Sequence, residues 1–295
     1  MATIPDTWYD QKVQDEIATI EQSAAMKAYI NGQIQADEAA RLVTADVLKA
    51  TEEDTGEGGE VDTKLLELWG FIIDFISEWP SSHPKILDLL YTIRKLPHID
   101  RSDKDSIETF QDDTGIVRES QLWDDLPKFW NMLSDFWDSE AAWRHDWTKS
   151  SLGKGESPSW FNINAFAATA FKGGPFMGTK LFGYWGCDVL KMIAKKKREL
   201  FDIDIPVAEI WMQSAGAELH NFYLTRFRTV SPLDTWEEWE KAFRGIASDD
   251  KVDATIREKA AGLAAAMGQA SAISEGEKYE NLQITLAYAN SSQES

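Results

Sequence analysis

An all-α fold, a multi-helix orthogonal or solenoid-like bundle of about nine helices around a tryptophan-rich core, is what three observations predict. Apolar residues recur at intervals of three and four along nearly every long segment, and no run alternates in the manner of a half-buried strand. The chain has 295 residues, 43% of them hydrophobic and 12% aromatic, including 13 Trp. That length and composition bury a substantial core, in one large domain or two closely packed ones.

The first predicted helix spans Trp8 to Ile30, with Val13, Ile17, Ile20 and Ala24 on one face, and Asn31-Gly32 is its C-terminal stop. The second begins near Ala36 and carries Ala39, Leu42, Val43 and Val47, completing an N-terminal hairpin over residues 1–50. Residues 51–62 hold six acids, three glycines and no base, so self-repulsion and backbone freedom make them a flexible linker. A main helical domain over residues 63–275 and a fraying tail over 276–295 complete the predicted organisation.

The main domain opens with a helix from about Asp62 to Trp79, whose buried stripe is Leu65, Trp69, Ile72, Ile76 and Trp79. Pro80 and Pro84 separate it from a helix over Lys85 to Leu96, which Pro97 terminates. His98 to Gln121 is a polar loop. Trp123, Trp130 and Trp137 then fall at heptad spacing, reinforced by Leu126, Phe129, Leu133 and Phe136, and define the central helix. After a loop at Gly153 to Pro158, helices are predicted over Trp160 to Phe171, Thr179 to Arg198, Pro206 to Leu224, Pro232 to Ala247 and Val252 to Met267. Pro206 and Pro232 are expected in first turns, where a missing N–H is harmless.

With 30 basic and 50 acidic residues the chain carries a formal charge of -20, which repels phosphate backbones and anionic lipid. Nucleic acid and membrane are therefore not expected partners. The one dense basic run, Lys195 to Arg198, closes a predicted helix, where cations complement the dipole. A single cysteine, Cys187, permits no internal disulfide, and Met1 to Asp6 lacks the regions of a secretion signal, so a cytoplasmic location is expected. The most apolar stretch, Leu65 to Trp79, is interrupted by Glu67, Asp74 and Glu78 and is too short to span a bilayer.

Few motifs carry chemistry. Gly173 to Lys180 resembles a phosphate-cradling loop, but Thr179 precedes Lys180, the reverse of the required order. Asp249, Asp250 and Asp253 match the aspartate-rich pattern of helical terpene cyclases, and are read instead as acids at a helix start. None of His83, His98, His145 and His220 has a second His or Cys at ligand spacing, so neither metal nor cofactor is expected.

Glu209, Gln213, Gly216 and His220 are spaced to share one helix face beside Ile210, Trp211 and Leu219. A carboxylate and an imidazole in an apolar pocket can act as acid and base, which makes Glu209, Gln213 and His220 the catalytic candidates. Roughly 16 Å of helix separates Glu209 from His220, however, and the competing reading is a set of buried polar groups that tie helices together. Asn162 and Asn164 lie inside an apolar segment and are suited to orienting a polar ligand. With Trp130, Trp185 and Trp211 they are the ligand-binding candidates.

Three segments combine Trp, Asn and Gly at fixed offsets: Trp123-Asp-Asp-Leu-Pro127-Lys-Phe129 with Trp137, Trp160-Phe-Asn-Ile-Asn164-Ala-Phe166-Ala-Ala168, and Trp211-Met-Gln-Ser-Ala215-Gly216-Ala-Glu218-Leu219. Over roughly Leu65 to Leu224 the chain thereby resembles a fungal family of unknown function that includes the oxopyrrolidines biosynthesis cluster protein G. The resemblance implies a fungal, helical, cytosolic protein set beside secondary-metabolite genes, and it brings no catalytic residues.

Two functions are expected. One is a non-catalytic helical module that binds a partner protein or small-molecule ligand through an aromatic-lined groove; the other is a cofactor-independent cyclase or isomerase of secondary metabolism with an aromatic pocket. An enclosed cavity lined by Trp130, Asn164, Trp185, Gln213 and His220 would favour the enzyme, and a filled core with an exposed apolar patch the module.

Overall fold

The structure is a computed structural model that describes residues 4–53, 59–97, 123, 126–143, 159–173, 179–195, 200–230 and 234–291. Among these residues there are twelve helices and no strand, so the all-α expectation holds with more helices than the nine counted from periodicity. The chain divides into two compact units, Met1–Trp143 with Ser157–Ile163, and Asn164–Ser295 with Arg144–Glu156.

The first unit contains α1 (Asp6–Gln14), α2 (Ile20–Ile30), α3 (Ala36–Val43), α4 (Ala45–Glu53), α5 (Gly59–Glu78), α6 (His83–Ile93), α7 (Phe129–Trp143) and the start of α8 (Ser159–Gly173). The single helix expected over Trp8 to Ile30 is two. Thr19 accepts from Gln22 N while the Gln22 side chain accepts from Thr19 N, a reciprocal cap that begins α2 afresh. The next expected helix is likewise divided at Thr44, whose hydroxyl donates to Ala40 O at 2.7 Å. Gly32 takes φ +75° as the predicted stop, and Lys85 Nζ donates to Tyr29 O and Ile30 O, satisfying carbonyls that the end of α2 leaves open.

Leu65, Trp69, Ile72 and Ile76 are buried on α5 as predicted, and Leu68, Phe71 and Phe75 are buried with them, so this helix is covered on more than one face. Trp8 Nε1 donates to Glu78 Oε2 at 2.6 Å, and Lys12 Nζ reaches Asp74 at 2.7 Å and Glu78 at 2.8 Å, tying α1 to α5.

The expected central helix does not run through all three heptad tryptophans. Trp123 is fully buried but precedes α7, because Pro127 follows Leu126, and Leu126 and Lys128 take φ of 49° and 64°. A residue before proline is pushed out of the α region, and positive φ cannot be built into a right-handed helix. This turn is held from α5: Trp69 Nε1 donates to Pro127 O at 2.6 Å and Lys128 pairs with Asp62.

His83, at the start of α6, is 4% exposed, and its Nε2–H donates to Ile76 O at 2.8 Å. Burial, partly opposed by that bond, pushes the imidazole below its ordinary value of 6.5. Between 6.5 and the lowered value the unfolded chain binds more protons than the folded one, so stability falls as pH drops through this window. The melting midpoint of the wild type is expected to decline on acidification below pH 6.5, and the decline to be shallower in His83→Gln. Parallel midpoint–pH curves for the two proteins would refute this.

The second unit contains the rest of α8, α9 (Thr179–Ala194), α10 (Phe201–Phe222), α11 (Trp236–Ala247) and α12 (Ala254–Ser291). A π-turn at Tyr223–Phe227 carries α10 on to Val230. α12 packs most extensively on α10 and α11, and extends well beyond the Met267 expected as its end. Trp236 Nε1 donates to Met267 O at 3.3 Å, while Thr235 and Glu238 form a second reciprocal cap that starts α11. Tyr223, Phe227, Trp236 and Trp239 form an aromatic cluster with ring centroids 5.5–6.4 Å apart.

α10 begins at Phe201 rather than Pro206, so Pro206 sits inside the helix and cannot donate to the carbonyl four residues back. The helix is kinked at Ala215, which has φ −147° and ψ 30°. Side chains of α10 press on the backbone of α9 at Gly186, where an added Cβ would lie 2.8 Å from both Trp211 Cε3 and Leu219 Cδ1. Beside it, the Cys187 thiol is fully buried, and burial with the neighbouring Asp188 charge pushes its pKa well above the ordinary value. No helix among the described residues is long and apolar enough to cross a membrane. The polar loops at His98 to Gln121 and Gly153 to Pro158, with Pro232 and His145, lie outside the described residues.

Candidate functional site

The polar residues singled out in the sequence are placed apart. Asn162 belongs to the first unit and Asn164 to the second. Two positions on a helix are separated by about 200° of rotation, so adjacent-but-one amides face opposite ways. Asn162, 2% exposed, donates from Nδ2 to Ser77 O at 2.6 Å; Asn164, fully buried, accepts from Trp211 Nε1 at 2.9 Å. Each amide thus holds two helices together inside its own unit. Trp130, in the first unit, is half-buried with its ring 4.8 Å from Phe129. Trp185 is 3% exposed with its ring 5.2 Å from Phe182, and Trp211 is fully buried.

The stripe expected on α10 is broken by the kink at Ala215. Glu209, one turn before Gln213, pairs with Lys259 of α12 at 2.5 Å; Gln213 is exposed. Gly216 faces α12, where Ala270 Cβ would lie 3.8 Å from its added Cβ. His220 is 4% exposed, 4.8 Å from the Trp236 ring, with Nε2 3.4 Å from Ser271 Oγ. Ser271 Oγ also lies 3.1 Å from Met267 O, the carbonyl four residues back, which fits a helix tie between α10 and α12.

Of the acids expected at a helix start, Asp253 directly precedes α12, whereas Asp249 lies in the turn that follows α11. Asp249 Oδ1 accepts from Lys251 N at 3.1 Å, and Asp253 Oδ1 from Thr255 N at 2.9 Å. Among the described residues no group of three or more His, Cys, Asp or Glu is gathered as metal ligands would be.

A cleft of whose lining the sequence motifs marked only Asp249 lies on α11. Its volume is about 480 Å³, and it is lined by Phe201, Glu238, Lys241, Ala242, Gly245, Ile246 and Asp249. The opposite face of α11 is fixed in the core by Trp236, Trp239 and Phe243, all buried. That anchoring aims Glu238, Lys241 and Gly245 outward, and all three are exposed. Phe201 and Ile246, 4% and 5% exposed, supply an apolar floor. Nothing lies within 4 Å of a Cβ added at Gly245, so the helix backbone itself is open to a visitor there. The arrangement offers shape and a few charges, and no paired acid and base. The signal in the sequence is the pairing of two small residues, Ala242 and Gly245, three apart in the middle of a helix rich in large and charged residues.

Residues 69–269 match the model of the family described as Protein of unknown function (DUF3632). No curated protein and no solved structure gives a significant match to the chain.

Proposed function

Since this chain belongs to the DUF3632 family, whose model covers more than half of it, we propose that it is a non-catalytic helical module that binds a partner protein through the α11 cleft. The observation that carries this reading is the cleft itself, an open hollow with an apolar floor and a charged rim. It is supported by the way the polar candidates for catalysis and ligand binding are used: Asn162, Asn164, Glu209 and His220 each tie one helix to another. The resemblance carried by Trp123 to Phe129, Trp160 to Ala168 and Trp211 to Leu219 supports reading the module as a fungal, cytosolic protein encoded beside the genes of secondary metabolism.

The test uses Gly245→Arg, which fills the cleft. Gly245 is exposed with open space above it, and glycine is the poorer helix former by about 1 kcal/mol, so the substitution leaves folding intact. Cross-linking from Lys241 in extracts of the producing cells is expected to give a protein adduct with the wild type and none with Gly245→Arg, at equal helix content. Equal adducts from both proteins would overturn the proposal.

A further inference from the structure

Beside Phe201 of α10, the other six residues that line the cleft fall into two rows four apart along α11 and the turn that follows it. One is Glu238, Ala242, Ile246 and the other Lys241, Gly245, Asp249. Such rows are the ridges by which helices pack, and the hollow between two of them is the groove that receives the matching ridge of another helix, crossing at about −50°. The chain keeps turning through the second row, since Asp249 N bonds Ile246 O at 3.2 Å. Ala242 and Gly245 at the middle allow axes to approach to about 8 Å, the short end of the usual range.

The charges on the row through Gly245 say which ridge fits. Lys241 stands one turn before Gly245 and Asp249 one turn after it. A ridge of identical sequence laid antiparallel and centred on the same glycine sets its Asp249 against this Lys241, and its Lys241 against this Asp249. Laid parallel, it would set like against like. The pattern is therefore self-complementary about one point, as an isologous twofold contact requires. We infer that the partner of the cleft is a second copy of this chain, docked as an antiparallel pair of α11 helices about a twofold axis beside Gly245. This rests on the reading of the cleft as a docking surface and names its occupant.

Sedimentation equilibrium over a concentration series decides it, in salt of about 0.15 M, where a Debye length of about 8 Å screens repulsion between acidic copies but not contact pairs. The wild type is expected to dimerise. Lys241→Glu and Asp249→Lys each juxtapose like charges across the axis and are expected to raise the dissociation constant about tenfold or more. The double variant Lys241→Glu with Asp249→Lys restores opposite charges at both ends and is expected to dimerise as the wild type does. Gly245→Arg is expected to be monomeric.

A wild type that stays monomeric throughout the series, or single variants that dimerise as tightly as it does, would overturn the inference. So would a double variant as weak as the singles. If the wild type is monomeric while Gly245→Arg still abolishes the adduct in cell extract, self-docking falls and the docking surface stands; if the adduct survives Gly245→Arg, both fall.

Discussion

Trp211→Ala is expected to lower the unfolding free energy of the second unit by about 3–5 kcal/mol, the usual range for deleting a fully buried indole. Trp211 is 0% exposed, and its ring meets Phe171 with centroids 6.3 Å apart. It also lies against Gly186 of α9, so α8, α9 and α10 converge on it. Two losses combine. The cavity forfeits the packing of those helices, and Asn164 Oδ1 loses the indole N–H it accepts from at 2.9 Å, deep in the core. Trp211→Phe retains most of the packing and isolates the second loss. Urea unfolding followed by circular dichroism reads both, provided the denaturant dependence is unchanged. A Trp211→Ala midpoint within error of the wild type would show that the three helices do not depend on this side chain.

Gly186→Ala is expected to destabilise the same unit by about 1–3 kcal/mol, although alanine is the better helix former. The added methyl would lie 2.8 Å from Trp211 Cε3 and 2.8 Å from Leu219 Cδ1, both on fully buried side chains with little room to retreat. Combining the two substitutions should reveal their shared cause. In a Trp211→Ala background the methyl has the indole's former space, so the penalty of Gly186→Ala should shrink or vanish. Strict additivity across the cycle would mean that the close approach of α9 to α10 is not set at this point.

Periodicity located most of the helices because burial of one stripe is what a surface helix does, and Leu65, Trp69, Ile72 and Ile76 are buried as expected. It failed where apolar spacing runs through a break. Val13, Ile17, Ile20 and Ala24 keep step across the end of α1, and only the reciprocal cap of Thr19 and Gln22 records the interruption. Trp123, Trp130 and Trp137 are evenly spaced by coincidence of sequence, with Pro127 between the first two. That proline was the better guide. At the site, residue chemistry pointed to amides, imidazole and carboxylate in apolar surroundings, and Asn162, Asn164 and His220 are indeed buried. Convergence was what the sequence could not convey: it depends on helix rotation, on the kink at Ala215 and on which unit a residue joins. The α11 cleft escaped notice for a different reason. It is made by what Ala242 and Gly245 lack, and an absence of side chain has no chemistry to recognise.

The burial of Cys187 gives the second unit a built-in clock. This is the chain's single thiol, it is fully buried in α9 next to Gly186, and its surroundings oppose the reactive thiolate. A soluble disulfide reagent can therefore modify it only during excursions in which α9 parts from its neighbours. When such openings close faster than the reagent reacts, the labelling rate measures how often the unit is open; when reagent is abundant, it measures the opening event itself. One sulfur atom, titrated at two reagent concentrations, thus reports both the depth of the native well and the height of its wall.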